Sequence, residues 1–145
     1  MNLTMSQRQL RLHLQAGAAV PSTLNWRIDE GYLRIGSWND RAEPFTLGIW
    51  GPGELVIPSL LPITPLQLQT LPATRLEEEE PTQQQREAFL IHQCLQTSML
   101  LRLSRVRPAE ARLYELLLWI GERFGRVNSR GVSLSLADMH LTHRN

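Results

Sequence analysis

Two helical segments joined at a single proline constrain the fold of this chain more than any other feature of its sequence. The first follows Pro81 and is predicted to run to Arg107, and the second begins after Pro108. Thr82 and Gln85 have the spacing of a capping box, which satisfies free N–H groups at the start of a helix. Pro108 ends the first helix because proline disfavours helical geometry in the residue before it. We therefore expect two helices with a hinge between them.

Four consecutive glutamates, Glu77–Glu80, precede the first helix. They lie near the positive end of the helix dipole, which favours acidic side chains. Because a run of like charges is usually solvated, we interpret Glu77–Glu80 as a solvated turn.

The first helix carries more than one apolar stripe. One stripe is formed by Ala88, Leu95, Met99 and Val106, and a second by Leu90, Cys94 and Leu101. A helix with one apolar stripe packs against one partner, whereas this helix has apolar surface for two. One partner is predicted to be the N-terminal half of the chain, and the other the same helix of a second copy across a two-fold axis. The first stripe is therefore the candidate dimer interface; the alternative is a helix buried inside one larger core.

The second helix has one apolar face and a glycine at its end. The face is formed at helical spacing by Leu113, Leu116, Leu117, Ile120 and Phe124. Gly125 is the predicted C-cap. This pattern is typical of an ordinary helix that buries one side.

Before the first helix, apolar and polar residues alternate over short runs. These runs are Leu10–Leu14, Trp26–Ile28, Leu33–Ile35, Phe45–Ile49 and Leu66–Leu68. A period of two is that of a half-buried strand. Asn39–Pro44 is predicted to be a hairpin loop, and Gly51–Gly53 is the strongest turn signal. The pattern predicts an α+β protein in which a small N-terminal antiparallel β-sandwich or β-roll is followed by a long dimerisation helix.

Composition argues against several classes of function. The 145 residues carry a net charge of +1, which gives no general basic field for nucleic acid. Cys94 is the only cysteine, so the chain is expected to be cytoplasmic and to hold no cluster bound by cysteines alone. No apolar run reaches the length needed to span a membrane. Neither an enzyme nor a metal site is expected, because the sequence has no metal-spaced histidines, phosphate-binding glycine loop or nucleophile motif.

The sequence changes in character after Gly125. Val132, Leu134 and Leu136 alternate with small or polar residues and are predicted to form a strand. Thr142 is a suitable N-cap, but the sequence stops at Asn145, where a new helix would have nothing to pack against. We expect this ending to be truncated.

The order of these parts resembles the Crp-Fnr family of bacterial transcription regulators, and its cyanobacterial members in particular. The resemblance is carried by Trp26–Leu33, Phe45–Leu55, Arg107–Leu113 and Leu141–His143. It implies a jelly-roll effector domain of the cyclic-nucleotide-binding type (residues 1–80), a dimerisation helix (81–107) and an incomplete winged helix-turn-helix domain (108–145).

The resemblance also implies partners. A member of this family is expected to be a homodimer that binds DNA when complete. Its helix-turn-helix begins at the Leu-Thr-His position, so Thr142, His143 and Arg144 are candidate DNA contacts in a complete protein. The recognition helix that enters the major groove would follow them and is missing from this sequence.

The stretch after Gly53 departs from the cyclic-nucleotide binders of the family. Those proteins hold the phosphate with a Gly-Glu turn and a downstream arginine, and Gly53–Glu54 matches only the first part. Residues 57–67 contain no lysine or arginine and have three prolines, which cannot donate through their nitrogen. A cyclic phosphate needs a cation and converging donors. We therefore predict that cyclic nucleotides do not bind.

Two polar residues are candidates for an effector pocket. Glu54 could accept a hydrogen bond from a ligand, although such a residue more often caps a turn. Arg75 is the only cation between Arg41 and Arg86, although a surface pairing with the glutamates after it is the simpler interpretation.

No cofactor is expected, and haem is the alternative. His92, Cys94 and Met99 on the first helix have the side chains of haem ligands. We nevertheless expect Cys94 and Met99 to pack in the core.

The sequence thus predicts the sensor and dimerisation portion of a Crp-Fnr-like regulator. The alternative is a stand-alone dimeric β-roll that binds another protein and no DNA. Neither the effector nor the target DNA sequence can be read from these residues.

Overall fold

The structure is a computed structural model that describes residues 9–128 and 131–133. The strands are β1 (Arg11–Leu14), β2 (Trp26–Glu30), β3 (Leu33–Trp38), β4 (Pro44–Trp50), β5 (Leu55–Val56), β6 (Gln67–Thr70), β7 (Thr74–Glu78), β8 (Arg126–Asn128) and β9 (Gly131–Ser133). The helices are α1 (Gln83–Leu103) and α2 (Ala109–Phe124), with a short 3₁₀ turn at Pro58–Leu60.

The first seven strands form two antiparallel sheets. One has the order β1-β7-β2-β5 and the other the order β4-β3-β6. Their alternating apolar side chains meet in one cluster, which we call the roll core. It contains Val20, Trp26, Ile28, Leu33, Ile35, Trp50, Val56, Ile57, Leu68, Leu76 and Phe89. The predicted α+β fold, an antiparallel roll followed by helices, is confirmed.

A second cluster lies where the helices meet the roll, and we call it the helix–sheet core. Its buried members are Ile49, Leu71, Trp119 and Ile120. Ile49 and Trp50 are adjacent on β4 and are both buried, one in each cluster. The predicted half-buried alternation of β4 is therefore wrong at its end, because both faces of that strand are covered.

The glutamate run is not a solvated turn. Glu77 and Glu78 belong to β7, and Glu77 pairs in register with Arg11 of β1. The guanidinium of Arg27 bridges the carboxylates of Glu77 and Glu79, the latter at 2.7 Å. Strand pairing and this shared cation hold the run against the sheet.

Helix α1 starts as predicted and ends early. The Thr82 hydroxyl accepts from the N–H of Gln85, and the Gln85 side chain accepts from the N–H of Thr82, so the capping box is confirmed. The helix ends at Leu103 and not at Arg107. The helix is followed there by a turn with 3₁₀-type hydrogen bonds, in which the N–H of Arg105 donates to the carbonyl of Arg102.

Helix α2 buries part of the predicted face, because Ile120 is buried and Leu116 and Phe124 pack against the helix–sheet core. Trp119 and Ile120 are its buried residues, whereas Leu113 remains 42% exposed and Leu117 is also exposed. Trp119 was missed because it is one residue off the apolar spacing. Gly125 is the C-cap, as predicted.

The chain then enters a hairpin of β8 and β9. Strand β8 was not predicted. Val132 lies in β9, as expected, but Leu134 and Leu136 lie outside the described residues. Residues 108–128 and 131–133 of the predicted winged-helix domain are thus described, and the predicted start of the helix-turn-helix at Leu141–His143 lies outside the described residues.

Candidate functional site

Helix α1 docks on the roll through two buried glutamines. Strand β4 is an edge strand, so it presents backbone groups without a neighbouring strand. Gln96 Oε1 accepts from the N–H of Ile49 at 2.7 Å, and Gln93 Nε2 donates to the carbonyl of Leu47 at 2.8 Å. Gln93 Oε1 also accepts from the indole N–H of Trp50 at 3.2 Å. The two side-chain amides thus form hydrogen bonds with backbone groups of β4 that no neighbouring strand reaches.

This docking face was not predicted from the sequence, because two of its four buried residues are polar and do not belong to an apolar stripe. The buried residues of α1 are Phe89, Gln93, Gln96 and Leu103. Gly48 leaves the necessary space, because a Cβ there would lie 3.1 Å from Gln93 Oε1. Two glutamines three residues apart between apolar residues are the sequence signal, but an exposed helix face has the same composition.

The opposite side of α1 is exposed and apolar. Leu95 is 64% exposed, and Ile91 and Leu101 are similarly open. Of the predicted dimer residues, Ala88 and Leu95 are exposed. Met99 is half-buried against the helix–sheet core. Val106 is half-buried beyond the end of α1.

Cys94 lies on the open side of α1 as well. The expectation that it packs in the core is wrong, because it is not on the side of the helix that carries Phe89, Gln93 and Gln96. Met99, by contrast, does pack against the helix–sheet core as expected.

Glu54 is bound by a residue of α2. It follows Gly53, which adopts a positive φ of 84° that favours glycine. Arg123 Nη2 donates to both carboxylate oxygens of Glu54, at 2.9 and 2.8 Å. Glu54 Oε1 also accepts from the N–H of Gly51 at 2.6 Å, and Arg123 donates to the carbonyl of Ile49. The carboxylate predicted to face an effector therefore joins the turn to α2.

His92 packs beside this ion pair. Its ring meets that of Trp50 edge-on, with centroids 4.6 Å apart, and its Nδ1 lies 3.8 Å from Glu54. Burial lowers the pKa of His92, the charge of Arg123 lowers it further, and Glu54 opposes both effects. Because the pKa is below its usual value of about 6.5, the imidazole is mostly neutral at pH 7.

Arg75 lies elsewhere in the roll. It is on β7 and pairs with Glu30 at 3.2 Å. The expected pairing with the glutamates that follow it is therefore wrong, because Glu30 of the neighbouring strand β2 is its partner, while Glu77 pairs with Arg11 and Arg27. Glu54 and Arg75 make separate contacts, so the structure does not combine them into one site.

Residues 57–66 pack on the roll core. Ile57 and Pro58 are buried, and Leu60, Leu61 and Leu66 pack against the same cluster. The hydroxyl of Ser37 donates to the carbonyl of Pro65. The segment that follows the Gly53–Glu54 turn therefore packs as apolar structure in this chain.

A cavity of about 480 Å³ lies between the β4-β3-β6 sheet, the end of α1 and the start of α2. Its lining residues are Arg34, Pro44, Phe45, Thr46, Ile49, Leu71, Leu100, Leu103, Ser104, Ala109, Glu110, Arg112, Leu113 and Leu116. No pattern in the sequence predicted this cavity. Arg34 lies between two core residues of β3, and alternation alone predicted that it would face solvent.

Two further findings concern the described residues alone. Among them, no three His, Cys, Asp or Glu side chains are grouped as a metal site would require. No helix in the same part of the chain is long and apolar enough to cross a membrane. Thr142, His143 and Arg144, the predicted DNA contacts, lie outside the described residues.

Comparison with known proteins identifies the family. The chain is 35% identical over 136 residues to Regulatory protein CysR of the cyanobacterium Synechococcus elongatus, covering 92% of this chain and 66% of that protein. The chain belongs to the Crp-Fnr family. This Crp-Fnr chain thus spans just under two thirds of the curated relative that it matches, and no family model matches it.

Solved structures agree with this fold. A putative transcriptional regulator of the crp/fnr family from Eubacterium rectale aligns with this Crp-Fnr chain with a TM-score of 0.66 and 12% identity. The alignment covers 96% of this chain and 74% of the Eubacterium rectale chain. The c-di-GMP responsive global regulator CLP of Xanthomonas campestris aligns with a TM-score of 0.62 and 19% identity. That alignment covers 87% of this chain and 74% of the CLP chain.

Proposed function

We propose that this chain is the sensor and dimerisation portion of a DNA-binding Crp-Fnr regulator that does not respond to cyclic nucleotides. The observation that carries the proposal is the position of Glu54. Its carboxylate is held by Arg123 of α2, so the turn that resembles a phosphate cradle is linked to a helix of the same chain. Such a regulator acts on DNA in the cytoplasm, and the proposal includes no cofactor.

Residues 57–66 support the part of the proposal that concerns cyclic nucleotides. A cyclic phosphate buried without a cation would leave a desolvated charge, which is strongly unfavourable. The segment has no cation, and its side chains pack on the roll core.

The exposed side of α1 supports the homodimer. Ile91, Leu95 and Leu101 leave large apolar side chains open along one helix. Several large exposed apolar side chains on one helix are typical of an interaction site. A second copy of α1 crossing at a two-fold axis would cover it with its own equivalent residues.

The dimer is tested by sedimentation of Leu95→Glu. The wild-type chain should sediment as a dimer and the variant as a monomer. The reason is that a dimer of the variant would bury an unpaired carboxylate in the interface between the two helices, which is unfavourable. Leu118→Glu is the matched control, since Leu118 is also an exposed leucine but lies on α2. A dimer that survives Leu95→Glu and dissociates with Leu118→Glu would move the interface to the second helix.

Binding measurements test the remainder. Calorimetric titration with cAMP should give no saturable heat, and saturable binding would refute that part of the proposal.

A protein extended through the next stretch of its gene should bind a palindromic operator that the 145-residue chain does not bind. Alanine at Thr142, His143 or Arg144 in the extended protein should weaken that binding. If no version binds DNA, the chain is better described as a dimeric protein-interaction module.

A further inference from the structure

The guanidinium of Arg34 is held in place at the wall of the cavity between the roll and the helices. Its Nε donates to the hydroxyl of Thr46 at 2.7 Å, and its Nη1 donates to Gln67 Oε1 at 3.1 Å. It lies flat over Gly36, where a Cβ would come within 2.7 Å of three of its atoms. The arginine is 7% exposed, so the strand and its neighbours build a rigid position for one positive charge.

This charge has no carboxylate partner in the described part of the chain. The side-chain contacts of Arg34 are to neutral oxygens, and its Nη2 is buried without a hydrogen-bond partner. Buried charges in proteins are normally paired, because an isolated one is strongly disfavoured. Burial accordingly lowers the pKa of Arg34, and no carboxylate opposes the effect.

The cavity beside Arg34 is large and mostly apolar. Its volume of about 480 Å³ falls within the range of small-molecule sites, and leucines from both helices line it. Glu110 and Arg112 are its other ionisable lining residues and offset each other in charge. The positive charge of Arg34 therefore remains uncompensated.

We infer that this cavity binds a small organic carboxylate with an apolar body, whose carboxylate pairs with Arg34. The planar fork of a guanidinium matches a carboxylate, and a charge-assisted hydrogen bond is roughly twice as strong as a neutral one. The apolar body would contact Leu100, Leu103 and Leu116. Because Nη2 is covered in this structure, neighbouring side chains must move when the anion reaches it.

The position of the cavity gives such a ligand a regulatory consequence. It would touch β3, the end of α1 and the start of α2 at once, across the segment that contains Pro108. Binding would therefore favour one orientation of α2 relative to the roll. This consequence rests on the proposed sensor function, whereas the binding itself does not.

Octanoate is the probe for a calorimetric titration of the 145-residue chain, and 1-octanol is the matched neutral compound. We expect octanoate to bind and octanol to bind at least about tenfold more weakly, which is the loss of one charge-assisted bond. Arg34→Met keeps an unbranched stem without the charge and should bind octanoate about tenfold more weakly than wild type. Gly36→Ala should weaken it as well, because its Cβ displaces the guanidinium.

Arg112→Met is the control, since Arg112 lines the same cavity and is less buried than Arg34. It should leave octanoate binding within about twofold of wild type. The inference is overturned if octanoate does not bind, if octanol binds equally well, or if Arg34→Met binds as wild type does. It is also overturned if Arg112→Met abolishes binding and Arg34→Met does not. Dimerisation and operator binding need no octanoate, so failure here and failure of the proposed function are separate results.

Discussion

The roll core and the helix–sheet core are built from different kinds of contacts. The roll core is a closed cluster of aliphatic and aromatic side chains, and the 0% exposed Trp26 is at its centre. Around the helix–sheet core, the helices meet the roll through the buried glutamines Gln93 and Gln96, the Arg123–Glu54 pair and the cavity beside the buried Arg34. The first stabilises the fold, because burial of apolar surface is the dominant favourable contribution to folding. The second joins separate elements by polar contacts, and there a ligand can shift the balance between arrangements.

The largest effect is expected in the roll core. Trp26→Ala should lower the free energy of unfolding by about 3–5 kcal/mol, because it removes a fully buried aromatic side chain and leaves a cavity. Urea unfolding measures this. Trp38→Ala, at an exposed tryptophan, is the control and should cost far less. Equal losses at both positions would contradict the contrast between core and surface.

A smaller loss is expected where α1 docks on β4. Gln93→Leu should cost about 1–3 kcal/mol, because it leaves the buried indole N–H of Trp50 without an acceptor. The carbonyl of Leu47 keeps Thr97 as a donor, which limits the loss. Gln84→Leu on the exposed first turn of α1 is the matched control. If both variants unfold at the same urea concentration, the glutamine contacts do not stabilise the docking.

Arg34→Met should behave unlike a normal core substitution. The free energy of unfolding is expected to stay unchanged or to rise by about 1 kcal/mol, because an unpaired buried charge is replaced by an apolar side chain of similar length. Urea unfolding of the ligand-free chain is the measurement. A loss comparable to that of Trp26→Ala would mean that Arg34 stabilises the helix–sheet core and is not reserved for a ligand.

The smallest effect is expected from the titration of His92. Its pKa is lower in the folded chain than in the unfolded chain, so the unfolded state takes up the proton first as the pH falls. The contribution of His92 to stability is therefore constant above about pH 6.5 and falls as the pH drops through that value to below the folded pKa. His92→Gln should remove this component from stability measured between about pH 5 and 7.

A second substitution sharpens the pH experiment. Arg123→Met should raise the pKa of His92, because it removes a positive charge and leaves Glu54 in place. Titration of the imidazole by nuclear magnetic resonance measures this directly. An unchanged pKa would mean that burial alone sets the value.

The roll and the start of the first helix could be predicted from local sequence patterns. Strand periodicity placed Trp26, Ile28, Leu33 and Ile35 correctly in the core, and the capping box at Thr82 was readable from its spacing. These features depend on neighbours within a few residues, so local patterns are enough to predict them. The order of these locally predicted parts carried the family resemblance, which the comparison with known proteins confirmed.

The docking of the helices on the sheet and the candidate site depend on contacts between distant parts of the chain. The glutamine contacts to β4, the Arg123–Glu54 pair and the contacts of Arg34 join residues that are 12 to 69 positions apart. Alternation assigned Arg34 to solvent because it describes one strand and does not include the helices that cover it. A polar side chain is exposed or buried according to what packs over it, and that depends on the path of the whole chain.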